Sequence, residues 1–588
     1  MRLGFLRTSL LFCLGALLVL TAAGSVSYSQ AEKKDQPKGK KAAAPPVKKE
    51  VAKPAPPEAL LRHDAWEGVP TTPLQPGEFD RLLDKEFAAG KLVPAPPAAD
   101  EQFLRRVRLD LTGQLPAAAE VEQFLADESP DKRAKLIDRL LETDEYARHW
   151  ARYWRDAVTA VEAPFGAAHV PAFEDWLTEQ FKQNRNWGEV VRAMLTAEGS
   201  LKKDDPDRAK HGAVFFLGRF SDADGNIQRT AETSRLFLGI QIQCAQCHAD
   251  RRTKIWHQVQ FHELAGFFAR MGVTGSNGSL IRLTVKPNGE HLMPGKEPNT
   301  QFVTYPRFLD GRAPPGNASD ADRRKALADF VTSPDNYWFS ATFANRMCAE
   351  LLGQSFYERV DDLSPKAEVV FPPVITRLAA AFKGSGYDVK GLLRAVANSR
   401  AYQRQVRLGG AVNAHLLFAA VYPNRLRADV LWDALSRVLV KMPGLETPGT
   451  NVFRSEFGFD PSVKPDEVAG SIGQALWLLN SQVVNDRVKV GDVRPPPPPK
   501  KDANPKGPPA APVPEPTLLK QLVAKHGADD AAVIRDLYLH VLARKPTDRE
   551  LQINVRYVKE TTAAATRNEA LEDVFKVLIN STEFQRRR

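Results

Sequence analysis

The chain has 588 residues, enough for two or more domains with sizeable cores. Its 43% hydrophobic content is that of an ordinary globular protein, while a net charge of +10 invites a nucleic-acid reading. The location of the charge excludes that reading. Arg2 and Arg7 lie in an N-terminal leader, residues 31–57 hold eight Lys against three acids, and residues 494–516 hold four basic residues against two acids. The remainder is nearly neutral, so no nucleic-acid partner is expected.

In chain order, residues 1–30 read as a signal peptide and the start of the mature chain. The two arginines precede an apolar run, Leu10 to Leu20, which is followed by small residues at Ala22, Ala23 and Gly24. The run is too short for a confident membrane span, and no later segment is long and apolar enough for one. The expectation is an exported protein, periplasmic or extracellular, with no transmembrane segment beyond the leader. Residues 31–57, rich in Lys, Ala and Pro and without an aromatic residue, predict a disordered linker.

Residues 58–275 predict a helical domain. Phe79, Leu82, Leu83 and Phe87 recur at helical spacing, as do Leu136, Ile137, Leu140 and Leu141. Trp150, Tyr153 and Trp154 read as core aromatics. A helix over Arg229–Gln241 delivers the chain to Cys244, and a second is predicted over Phe261–Met271. Residues 276–319 change to β-prone alternation with frequent Pro, Gly and Asn, which predicts a strand-containing connector. Helical periodicity returns over 320–588, interrupted at 494–516 by eleven prolines that predict a polyproline II spacer. The fold class is therefore mainly α: two helical domains joined by a small strand-containing connector, with Lys/Pro-rich and Pro-rich linkers. A weak echo links Leu111–Glu120 to Val541–Glu550. Pro116 and Pro546 each stand where a helix could begin, with Glu120 and Glu550 four residues on, as in a recurring helix-turn-helix.

Residues 244–248 read Cys-Ala-Gln-Cys-His, the minimal signature of covalent haem c attachment. Two thiols three positions apart suit thioethers on one edge of a porphyrin, and the adjacent His suits an axial ligand to the iron. This reading makes Cys244, Cys247 and His248 the cofactor-binding residues, with His248 on the haem iron. Met271, His257 and His262 are the nearest candidates for a sixth ligand. A zinc set of Cys244, Cys247, His257 and His262 is an alternative, although its central gap is shorter than that of a usual finger. A bare pair of thiols or a local disulfide is a third reading. The corresponding functions are electron transfer or another redox role, or a secreted non-redox binding or scaffold protein with a structural zinc or disulfide. A redox partner or a cell-surface component is the expected partner.

Other chemistry is weakly signalled. Cys348 reads as a buried free thiol. Asp361 and Asp362 are adjacent and do not face each other, which predicts a solvated turn or helix cap. Asn345 and Arg346 read as packing with a buried polar contact. His262-Glu263 begins a zincin-like pattern, but Gly266 stands where its second His belongs, and no phosphate loop or nucleophile elbow occurs.

Several stretches together carry a family resemblance. FLRRVRLDLTGQLPAAAEVEQFLADESPDKRAKLIDRLL at 103–141, ETSRLFLGIQIQCAQCH at 232–248 and ELAGFFARMGV at 263–273 resemble the planctomycete cytochrome-c-type domain 2, the domain of unknown function 1549. YPRFLDGRAP at 305–314, DRRKALADFVTSPDNYWFSATFANRM at 322–347, GYDVKGLLRAVANSRAYQRQ at 386–405, ALWLLNSQVVNDR at 475–487 and VLINSTEFQRRR at 577–588 resemble its usual companion, planctomycete-specific domain 1, of unknown function 1553. The resemblance implies a secreted, largely helical, haem-bearing protein and carries no biochemical activity with it. Relatives commonly continue Cys-His with a second His, Pro and a Trp. Here Ala249, Asp250 and Arg251 follow, and Trp256 comes one residue late. Many relatives also bear a separate N-terminal cytochrome domain, where this chain has its Lys/Pro-rich segment.

Overall fold

Apolar residues at helical spacing form helices wherever the pattern is strong. The computed structural model describes residues 48–160, 167–220, 224–249, 255–275, 278–407, 417–445, 451–493, 514–561 and 566–587. Among them are 24 α-helices and only small sheets of two or three strands, so the protein is mainly α. The leader, residues 31–47 and most of the Pro-rich stretch lie outside the described residues.

The helices at Asp144–Thr159, Val170–Lys182 and Trp187–Leu195 present Trp150, Tyr153, Trp154, Phe173 and Trp187 to the interior. Aromatic contacts carry this core across the connector. The rings of Trp154 and Trp187 lie 4.2 Å apart, Phe343 lies 5.0 Å from Trp187, and Phe382 stacks on Phe343 at 4.7 Å. Residues from both sides of the connector thus share one apolar cluster. A second cluster joins Leu109 and Leu115 to the helices Ala428–Val438, Leu518–His526, Asp530–Leu542 and Arg567–Asn580. Buried charges tie distant parts of the chain together. Asp110 accepts hydrogen bonds from the Tyr402 hydroxyl at 2.8 Å and from Arg587 at 2.9 Å.

The echo corresponds to two helix-turn-helix connections. The helix Asp100–Thr112 turns into Ala118–Ala126, and Asp530–Leu542 turns into Asp548–Thr561. Each second helix starts two residues after its proline, so Pro116 and Pro546 lie in the turns and not at the first helical position.

The connector contributes to two sheets. Leu280–Val285 pairs antiparallel with both Ser200–Lys202 and Met271–Thr274. His291–Pro294 pairs antiparallel with Thr300–Thr304, which pairs parallel with Lys48–Val51. Two expectations are corrected here. Lys48–Val51, assigned to a disordered linker, is a strand, because an open sheet edge satisfies backbone donors and acceptors whatever the side chains are. Met271, assigned to the end of a helix, begins a strand. The helix Gln258–Ala265 gives way to a short 3-10 turn at Gly266–Phe268 before it.

Candidate functional site

The helix Gly225–Leu238 points the chain at the Cys-Ala-Gln-Cys-His segment and ends at Gly239 in a left-handed conformation, φ +60°. A Cβ at Gly239 would lie 2.7 Å from both Leu363 Cδ1 and Thr342 Oγ1, so the sharp exit requires glycine. The Gly239 carbonyl accepts from the Leu363 N–H at 2.6 Å, which fixes the exit against the following region. Gln241 donates to Asp361 Oδ1 at 2.8 Å, and Arg235 donates to Asp361 Oδ2 at 3.2 Å. Asp361 and Asp362 are buried, which corrects the expectation of a solvated turn. Asp361 shares Arg235 with Glu232 and Asp460 as counter-ions, and Asp362 Oδ1 accepts from the Ser364 hydroxyl at 2.6 Å.

Residues Ile242–Gln246 form a 3-10 helix, with Cys247 as its C-cap. Three residues per turn place positions i and i+3 on the same side, so Cys244 and Cys247 leave the turn in the same direction. Both cysteines are exposed, and neither is in a disulfide. Ile242 and Ala245, on another side of the turn, are buried and anchor it in the main core. His248 is exposed, and its Nδ1 lies 2.8 Å from the Ala249 carbonyl. A carbonyl can only accept, so Nδ1 carries the proton and Nε2 keeps its lone pair. A backbone carbonyl on the far nitrogen is the usual support of a metal-binding imidazole. The three residues are suited to haem attachment: two accessible thiols on one side, then an imidazole with a free Nε2.

The remaining candidates are placed differently. Met271 is buried within the main core. His257 is the N-cap of the helix Gln258–Ala265, and its N–H donates to Gln260 Oε1 at 2.8 Å. His262 is buried with both ring nitrogens engaged: Nε2 is 2.9 Å from the Gln246 carbonyl and Nδ1 is 2.8 Å from Nε2 of His291. It has no lone pair left for a metal. Among the described residues, no group of three or more His, Cys, Asp or Glu side chains is placed to hold a metal ion.

His291 was not singled out from the sequence. Its only signal there is a polar aromatic residue in the β-prone connector, and strand pairing brings it next to a helix 29 residues upstream. Burial holds both imidazoles neutral. His262 is shifted below its ordinary range by desolvation, and His291 is pushed down to about 4 by desolvation and by His262.

Elsewhere, Cys348 is a buried free thiol. Asn345 bonds the backbone of Val360 and Phe356, and Arg346 donates to Ser462 Oγ at 2.7 Å.

Neither the curated proteins nor the solved structures include a match to this chain. Two family models do match, in the order the sequence led us to expect, and the Cys-Ala-Gln-Cys-His turn falls within the first. Residues 78–272 match PSCyt2, a family of proteins of unknown function (DUF1549), and residues 323–457 match PSD1, a second such family (DUF1553).

Proposed function

We propose that the chain is an exported protein that carries one haem c on Cys244, Cys247 and His248 and serves electron transfer or another redox role. The observation that supports this reading is the geometry of the turn. Two exposed, unpaired thiols leave it on one side, and the next residue offers an imidazole whose Nδ1 is already committed to a backbone carbonyl. Bound there, haem supplies a one-electron couple whose potential follows from its ligands and surroundings.

Each side chain then has a distinct part. Cys244 and Cys247 hold the group covalently, and Nε2 of His248 is available to the iron. Ile242 and Ala245 fix one side of the turn to the core. The engaged nitrogens of His262 and the core position of Met271 make them supports for the turn and the core rather than ligands. The exposed site suits contact with a redox partner at the protein surface.

The test is expression of the full chain, with its leader, in a host competent for cytochrome c maturation, followed by a pyridine haemochrome spectrum and a zinc assay. One covalent haem per chain is expected, lost on replacing Cys244 and Cys247 by Ser. Exported protein without covalent haem would sink the reading. Stoichiometric zinc, lost with Cys244→Ser, would establish the structural-metal alternative.

A further inference from the structure

We propose that His291 is a positioning residue for the Cys244–His248 turn and acts through His262 on the carbonyl of Gln246. The inference rests on reading that turn as the site, but not on which group the turn holds.

The turn is exposed at three of its five motif residues, Cys244, Cys247 and His248, so side-chain burial alone holds it weakly. Its backbone anchor is the Gln246 carbonyl, between the cysteines. That oxygen accepts from His262 Nε2 at 2.9 Å and from Gln258 Nε2 at 3.2 Å, both on the helix Gln258–Ala265. The carbonyl has no proton to give, so His262 must carry its proton on Nε2. In a neutral imidazole the other nitrogen, Nδ1, is then an acceptor and needs a donor, because the ring is buried. His291 Nε2, 2.8 Å away, is that donor. The bonds thus run in one direction, from His291 to His262 to Gln246. In the opposite tautomer of His262, a lone pair on Nε2 would face the lone pairs of the Gln246 carbonyl. His291 therefore selects the tautomer that holds the turn.

The geometry around His291 is itself fixed. Its ring stacks on that of His262, with centroids 5.1 Å apart and planes at 21°. His291 stands opposite Thr304 in the strand pair, and the Thr304 hydroxyl lies 3.1 Å from the carbonyls of both His262 and His291. Helix and strand cannot shift relative to each other without breaking these contacts. The connector thereby supplies the residue that sets the proton on His262.

The proposal is tested on the full mature chain by hydrogen–deuterium exchange over residues 242–248. The variants are His291→Phe, His262→Phe, the double variant and His291→Gln, whose side-chain amide can place a donor near the position of Nε2. His291→Phe should speed exchange in the turn about three- to ten-fold, the loss expected for one hydrogen bond. The double variant should do no more than His262→Phe alone, since the two rings act in series. His291→Gln should return exchange to within about two-fold of the starting protein. Unchanged exchange in His291→Phe, additive effects, or an equal rise across the whole protein would overturn the proposal. If His291→Phe does not fold, nitrogen-15 shifts of His262 in the unaltered protein decide: a proton on Nε2 supports the proposal and one on Nδ1 overturns it. The haemochrome spectrum is read separately. A chain without haem that still shows the turn response keeps the role of His291 and loses only the haem reading.

Discussion

The three cysteines among the described residues differ by environment, and that difference can be measured. Cys244 and Cys247 sit on an exposed turn. Cys348 lies inside the helix Tyr337–Leu352, where burial pushes its thiol up to about 12. In haem-free protein at pH 8, a thiol reagent should therefore label two cysteines per folded chain and the third only after unfolding. In protein that carries covalent haem, the first two should be absent from the count. Labelling of Cys348 in the folded protein would contradict its placement. The Cys244–His248 motif was legible as a candidate because its chemistry is local: five consecutive residues contain two thiols and an imidazole at fixed spacing. His291 was not legible. Its meaning depends on a strand pairing that no pattern in the residues around it announces. The burial of Asp361 was hidden for the same reason, since its partners Arg235 and Gln241 lie more than 100 residues away.

Helices with a strong apolar period were legible as elements, and so were the turns that join them, because proline and glycine act within a few residues. The turn before Asp548–Thr561 shows what holds such a joint. Arg544 donates to both oxygens of Glu550 and to those of Glu583, which ties the turn to the segment just after the last helix. The hydrogen bonds from Arg544 are the main cause that lowers Glu550 to about 2, from an ordinary value of 4.5. A carboxylate lowered in the folded state contributes stability above the unfolded value, and this is lost as pH falls from about 4.5 towards about 2. Glu550 is about one-third exposed, so solvent screening reduces the contribution. Arg544→Ala should cost about 1–2 kcal/mol at pH 7 by urea unfolding. It should also flatten the loss of stability between pH 5 and pH 2. An acid profile unchanged by the substitution would show that Arg544 is not the source of the shift. The boundaries between helix and strand were less legible. Met271 follows an apolar run that continues the helical pattern, yet pairing with Val285 takes it into a sheet.

At the scale of the molecule, the first family region is interlocked with the second and with the segment at 583–587 beyond it. Trp154 and Trp187 from the first meet Phe343 from the second, Asp110 is held by Tyr402 and Arg587, and Arg105 donates to the carbonyls of Glu583 and Phe584. Burying aromatics of this size contributes several kcal/mol per ring, and a fragment loses that stabilisation outright. Residues 58–275 expressed alone should therefore bind a hydrophobic dye and lack a cooperative unfolding transition, whereas the full chain should unfold without either region melting separately. A fragment that unfolds cooperatively would show that the shared aromatics are dispensable. Sequence periodicity shows which face of each helix is apolar, but not which distant helix covers it, so this interlock could only be seen once the chain was folded.

The strand Lys48–Val51 has a mechanical consequence. It lies parallel to Thr300–Thr304, which in turn lies beside the strand bearing His291. Tension applied through the N-terminal segment would run along that first strand and load its lateral hydrogen bonds in shear, so that they resist together instead of opening one at a time. The first structure to feel such a pull would be the sheet that braces the cysteine turn. A chain held at a surface by its N-terminal segment would thus bear its load within two strands of the site.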